Sequence, residues 1–205
     1  MGVKFRQARE TIHMAIEMID QFYLKTSQGM TTRMFKLKLM SPSAVILHQV
    51  TVLLIASKHE EIDDNIMSIA NLQDYVKKQM VSQSRRDNHL LPSWSAIVEC
   101  ERKILNFHGW DLKFVLPLHI LRAYLANGVL FSNEFDPLAA KYSQEEVLQW
   151  QADWSRAITT ESLSISDLVI SKSNVTHRTE CSSDIAAGII YLARKNVLEA
   201  DSPTG

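Results

Sequence analysis

Two charged side chains stand against apolar sequence and are the groups most able to do chemistry with another molecule. Lys58 ends an otherwise uncharged run, Val45 to Ser57, and is followed at once by His59, Glu60 and Glu61. Glu101 lies four residues after Ile97 and three after Val98, so helical spacing sets it on the face that also carries Ile104, Leu105 and His108. A carboxylate on an apolar stripe needs a partner, because unpaired buried charge is costly. An intramolecular cation, or water at the edge of the stripe, would satisfy it. A lysine in the last turn of a helix is accounted for by the helix dipole alone. Each group therefore has a structural explanation when taken singly, and the two together carry more meaning than either one.

Turnover chemistry is not signalled. The chain has seven histidines and many acids, but no His-Glu-x-x-His, no legible Ser-His-Asp framework, no Gly-rich phosphate loop and no Cys-His metal spacing. No cofactor, metal or small-molecule substrate is expected, and the chain does not read as an enzyme. His13, His48, His89, His119 and His177 are scattered and read as surface or satisfied core histidines. Cys100 and Cys181 lie far apart without paired spacing, which signals neither a disulfide framework nor a zinc site and fits a reducing compartment. Arg85 and Arg86 read as a solvated face of a polar loop. Asn174-Val175-Thr176 matches a glycosylation sequon by pattern only, and Ser202-Pro203 is a bare proline-directed dipeptide.

The elements that must position Lys58 and Glu101 are bounded by composition. Of 205 residues, 46% are hydrophobic, enough for one domain or two small ones. Lys plus Arg total 22 against 23 for Asp plus Glu, a net charge of −1, so no global field attracts nucleic acid or an anionic membrane. No stretch of about 18 apolar residues occurs, and Met1 to Arg6 lead into a polar helix, so neither a membrane span nor a secretory signal is expected. Arg6 stands where a myristoylation pattern needs Ser or Thr.

Only six glycines occur, and periodicities of three and four residues dominate, which predicts an all-α protein. The first helix is expected from about Arg6 to Leu24 with Ile12, Ala15, Ile16, Ile19 and Phe22 on one stripe. The second begins at Ser41-Pro42, a cap followed by a first-position proline, and runs to Glu61. A shorter helix covers Ile66 to Met80, and Val81 to Leu91 reads as a loop. Pro92-Ser93 opens a helix ending near His108, with Gly109 as its stop. Helices follow from Pro117 to Phe131 and from Ser143 to Ser162, where Ser143 and Glu146 are spaced as a capping box and Val147, Trp150, Trp154 and Ile158 align as core. A Ser-rich break to Ser173 precedes a last helix from Ser182 or Ser183 through Val197.

These residues resemble the cyclin family. Ile55-Ala56-Ser57-Lys58-His59-Glu60-Glu61-Ile62 is similar to the cyclin-box motif in which a long core helix ends in Ala-Ser-Lys, an aromatic or similar residue, and Glu-Glu. Glu10 to Phe22 resembles the second helix of that box. Glu101-Arg102-Lys103-Ile104-Leu105 with Trp110-Asp111-Leu112 resembles its fifth helix and exit, and Ser183 to Arg194 the Ala-rich helix of the second cyclin fold. The likeness covers about residues 6 to 198 and is strongest in the first half. It implies a non-catalytic regulatory subunit that binds and activates a cyclin-dependent serine/threonine kinase in cell-cycle control, in the nucleus or cytoplasm. It also implies that Lys58 and Glu101 face the kinase with Ile55, Leu105, Trp110 and Leu112 as apolar companions, and His59 where an aromatic often stands. The alternative within the same fold is a scaffold such as transcription factor IIB or a pocket protein, gripping DNA or peptides. Near-neutral charge disfavours the DNA version.

The chain departs from the family in its extent. Its first matched helix begins almost at Met1, leaving no room for the helix that normally precedes it, and the second fold stops after its third helix. The expected architecture is therefore two consecutive helical bundles: an incomplete N-terminal box over 1–112, a partial second fold over 113–200, and a tail over 201–205. The family's docking patch for substrates and inhibitors draws on the absent helix and on a glutamine at the position of Ile46, so it is not expected here. A reduced or truncated box should expose apolar surface, for example on Ile12 or Val50, for a partner to cover. Asp63 to Leu91 is longer and more polar than in mitotic cyclins, with a faint likeness to J-type and transcriptional cyclins.

Overall fold

Serine hydroxyls set where several of the helices begin. Ser41 accepts a hydrogen bond from the Ala44 amide and Pro42 takes the first helical position, Ser93 accepts from Ala96, and Ser143 and Glu146 close a capping box. The computed structural model describes residues 6–27, 41–82, 91–136, 140–172 and 181–200. Among these, all regular structure is helical, with seven α-helices and two 3-10 turns, and the all-α expectation holds. The chain divides into two compact units, Met1–Phe114 and Val115–Gly205.

The first unit holds α1 (Arg9–Ser27), α2 (Pro42–Glu60), a 3-10 turn (Asp63–Asn65), α3 (Ile69–Ser82) and α4 (Trp94–Phe107). Helix α2 is its centre and packs against both α1 and α4. All eight residues from Val50 to Ser57 are buried, and each large aliphatic among them contributes roughly 1.5–3 kcal/mol by leaving water. Met14 and Met18 of α1 and Ile97 and Ile104 of α4 are fully buried in the same unit. Val50, expected at an exposed apolar surface, is instead fully buried, because α2 is covered on more than one side. Ile12 is half-buried and lines an open apolar cavity of about 290 Å³ with Ala15, Ile16, Ile19, Gln49, Val52 and Leu53.

Several boundaries of this unit differ from expectation, and α1 runs from Arg9 to Ser27 rather than from Arg6 to Leu24. The chain after α2 first makes the 3-10 turn, so α3 starts at Ile69 rather than Ile66, and it carries Val81 and Ser82, which read as loop. Arg85, Arg86 and His89 lie outside the described residues.

The second unit holds α5 (Pro117–Ala126), a 3-10 turn (Ser132–Glu134), α6 (Gln144–Ser171) and α7 (Ser182–Ala200). Val129, Ile158 and Ala193 form its centre, with Leu125, Leu130, Ile165, Ile190 and Val197 packed against them. The Arg194 guanidinium donates to the Val129 carbonyl and the Glu134 carboxylate and stacks on Phe131, 4.8 Å from the ring centre. Helix α5 ends at Ala126 rather than Phe131, since the side-chain and backbone N–H of Asn127 return to the last carbonyls and Gly128 turns away at φ +94°. Helix α6 runs through the Ser-rich stretch expected to break it, with Ser162 and Ser166 facing inward as small buried residues. No described helix is long and apolar enough to cross a membrane. The sequon at 174–176, His177 and the tail at 201–205 lie outside the described residues.

Candidate protein-interaction site

The end of α2 is built from residues with separate duties. Ala56 and Ser57 are fully buried, and the Ser57 hydroxyl accepts from the Met67 amide at 2.9 Å, tying the chain beyond the helix back to its last turn. The Glu61 amide closes the helix on the Ser57 carbonyl. Its carboxylate accepts from the Ala8 amide at 2.7 Å and the Thr11 hydroxyl at 2.6 Å, fastening the start of α1. Gln7 adds a bond to the Asn65 carbonyl. Glu61 is thereby committed to the fold, while Glu60 lies 2.8 Å from His59 Nδ1.

Lys58 leaves this framework for the surface. Its Nζ lies 2.7 Å from Glu101 Oε1, with the lysine side chain 48% and the glutamate 16% exposed. The structure therefore brings together two groups 43 residues apart in sequence and gives Glu101 the cation its apolar stripe demands. A surface ion pair contributes only about 0–1 kcal/mol to stability. The ammonium has three N–H groups and the carboxylate two oxygens, so hydrogen-bonding capacity remains for another molecule.

Helix α4 sorts its residues into three arcs. Ile97, Cys100 and Ile104 are buried, and burial pushes the Cys100 thiol up. Glu99, Arg102 and Lys103 share an exposed polar arc, where the two cations reach Glu99 at 3.3 and 2.9 Å for Lys103 and Arg102 respectively and hold its carboxyl below the usual range. Between these arcs, Glu101, Trp94, Leu105 and Val98 fall within about 60° of one another at about 100° per residue. Trp94 and Val98 are exposed and Leu105 is half-buried.

The exit of α4 fixes a second tryptophan. Trp110 N–H bonds the Leu105 carbonyl at 2.8 Å and Gly109 N–H the Asn106 carbonyl at 3.1 Å, the two bonds of a Schellman end. Gly109 has φ +62° and Trp110 φ +61°, a left-handed conformation that side chains with a Cβ seldom adopt. The indole N–H donates to Asn106 Oδ1 at 2.8 Å, and the residue is 64% exposed. Beneath, His108 packs edge-on to Phe107 and Phe114, and Phe107 meets Phe22, which meets His48.

Of the expected contact residues, Lys58 and Glu101 meet directly. His59 and Trp110 are exposed, and Leu105 and Leu112 are half-buried. Ile55 is only 3% exposed and sits in the core among the other buried residues of α2, apart from that surface. Trp94, 61% exposed, did not stand out from sequence, although it lies two helical turns before Glu101 on the same arc. Ile62, beyond Glu61, is likewise exposed.

A family model for the cyclin N-terminal domain matches residues 1–113. No curated protein and no solved structure matches the chain.

Proposed function

The chain belongs to the cyclin family, through the N-terminal cyclin domain of residues 1–113, and from that premise we propose that it binds and activates a cyclin-dependent serine/threonine kinase through the surface centred on Lys58 and Glu101. The observation that carries this reading is the 2.7 Å pair itself, drawn from two helices to one point of the surface, with exposed Val98 and Trp94 on the same arc of α4 and exposed Trp110 at the exit of that helix. A polar centre with remaining hydrogen-bond capacity inside an aromatic and aliphatic surround is the anatomy of a protein interface. Leu105, Leu112 and His59 are the further contact residues of this reading, while Ile55 is buried in the core of the unit.

In this reading the protein does no chemistry and makes contacts that differ between two states of its partner. A ligand shifts such an equilibrium only by its differential affinity, and a change from 1:99 to 99:1 needs about 5.5 kcal/mol. The favoured state is the one in which the kinase pairs its helix glutamate with its strand lysine and orders its activation loop. Family membership supports a role in cell-cycle control.

Affinity purification of the tagged chain, with and without Lys58→Ala plus Glu101→Ala, tests the proposal. The wild type should recover a cyclin-dependent kinase, and the double variant should weaken that complex by about 2–5 kcal/mol while remaining folded. Full retention of the kinase by the double variant would sink the assignment, and recovery of DNA-bound transcription factors in its place would favour a scaffold role.

A further inference from the structure

Trp94 is the first residue of α4 and is exposed. The Ser93 hydroxyl accepts from the Ala96 amide and lies 3.1 Å from the Ser95 hydroxyl, so the first turn of α4 is fixed where the indole emerges. At about 1.5 Å per residue, Trp94 stands roughly 10 Å along α4 from Glu101, and Leu105 about 6 Å beyond it on the other side. Val98 lies between Trp94 and the ion pair, and both it and Trp94 are exposed. The only charge on this arc is Glu101, which Lys58 offsets. The cations of the neighbouring arc, Arg102 and Lys103, are drawn onto Glu99.

Resting on the kinase-binding reading above, we propose that the interface continues from the Lys58–Glu101 pair along α4 over Val98 to Trp94, which is an aromatic anchor at its far end. Continuity favours this partner over an unrelated one. The apolar strip runs into the ion pair with no free charge between them, so a protein covering Glu101 and Leu105 meets Val98 and Trp94 as it extends along the helix. The kinase segment that fits is elongated, about 16 Å long. It has polar groups opposite the ion pair and an apolar side chain opposite Trp94 two turns away. Trp94 then defines a contact that selects among kinases by the size and polarity of the residue facing it.

The test is calorimetric titration of the full chain with a panel of purified cyclin-dependent kinase catalytic subunits, using wild type, Trp94→Ala, Trp94→Phe, and Lys58→Ala plus Glu101→Ala. The expected result is at least one kinase bound by the wild type, weakened about tenfold or more by Trp94→Ala and largely restored by Trp94→Phe. All four proteins should share one thermal unfolding profile to within a few degrees. If Trp94→Ala binds within about twofold of wild type while the charge-pair variant is weakened, the extension to Trp94 is overturned and the kinase reading stands. If no kinase binds the wild type, or the charge-pair variant binds as well as it, the kinase reading falls and this inference falls with it.

Discussion

Thr11 donates its hydroxyl to Glu61 across 2.6 Å, and the same carboxylate oxygen accepts from the Ala8 amide, so the residue that closes α2 also fastens the start of α1. Lys58, three residues earlier, points to Glu101 at the surface. Neighbouring charges of one short motif thus serve fold and surface separately. Glu61→Ala should lower unfolding free energy by about 2–4 kcal/mol, since two hydrogen bonds to a charged acceptor vanish and a buried hydroxyl loses its partner. Lys58→Ala should lower it by less than about 1 kcal/mol. Urea titrations of the two variants read the difference directly, and matching midpoints would contradict this division of labour.

Acid and alkali should each weaken the first unit through a different aromatic group. Burial holds His48 and His108 below the ordinary 6.5, with Lys25 opposing the charge on His108 and Glu17 and the Met18 carbonyl favouring it. The fold prefers the neutral rings, so their contribution is present above pH 6.5 and is lost as pH falls below it through the depressed values. Tyr23, whose hydroxyl lies 3.0 Å from His48 Nδ1, is pushed up to about 12, chiefly by burial and then by Cys100 and Asp20. Its contribution is present below pH 10 and is lost as pH rises toward 12. The melting temperature should be level between about pH 7 and 9 and decline on both sides. In His48→Gln plus His108→Gln the acid decline should shrink, and an unchanged acid limb would show that other groups drive it.

The caps were legible in the sequence because each rests on local chemistry, whereas the pairing of Lys58 with Glu101 across 43 residues came from the resemblance to the cyclin box. Ser41-Pro42, Ser93, Gly109 and the Ser143–Glu146 box act within one turn, and the structure uses all of them. Where tertiary packing decided, the reading failed. Ser162 and Ser166 look like helix breakers, but both are buried within α6, and neighbouring Thr159 satisfies its hydroxyl on the Ser155 carbonyl four residues back. Ile55 could not be told from a surface residue because every position from Val50 to Ser57 is buried, which erases the periodic signal that marks a face. Trp94 was hidden by its place directly after the Ser93 cap, and only its angular relation to Glu101 on α4 gives it meaning.

The two thiols, both free, should differ sharply in reactivity. Cys181 is exposed, its carbonyl accepts from Asp184 and Ile185 at the start of α7, and hydrogen bonds from the Ser183 side chain and backbone pull its thiol down from the ordinary range. Cys100 is buried and its thiol is raised by that burial. Since the thiolate is the reacting species, iodoacetamide at neutral pH should label Cys181 about tenfold faster or more, and Ser183→Ala should slow that labelling. Peptide masses over a time course give both rates, and equal rates at the two sites would refute the assigned environments.

Trp110 offers a way to separate binding from folding at one position. Its φ of +61° costs a residue with a Cβ about 1–2 kcal/mol, and its N–H bonds the Leu105 carbonyl through the backbone, a bond that any non-proline residue placed there can make. Trp110→Gly relieves that strain but loses the indole bond to Asn106, worth about 0.5–1.5 kcal/mol. Its stability should stay within about 1 kcal/mol of wild type. Trp110→Ala loses the indole and keeps the strain, so it should be less stable than the glycine variant by about 1 kcal/mol. If the proposed kinase-binding surface includes Trp110, affinity should order differently: both variants lack the exposed ring and should bind at least about tenfold more weakly than wild type, and equally so. Unfolding by denaturant and calorimetric titration on the same three proteins check the two orders, and a glycine variant that binds with wild-type affinity would remove Trp110 from the interface.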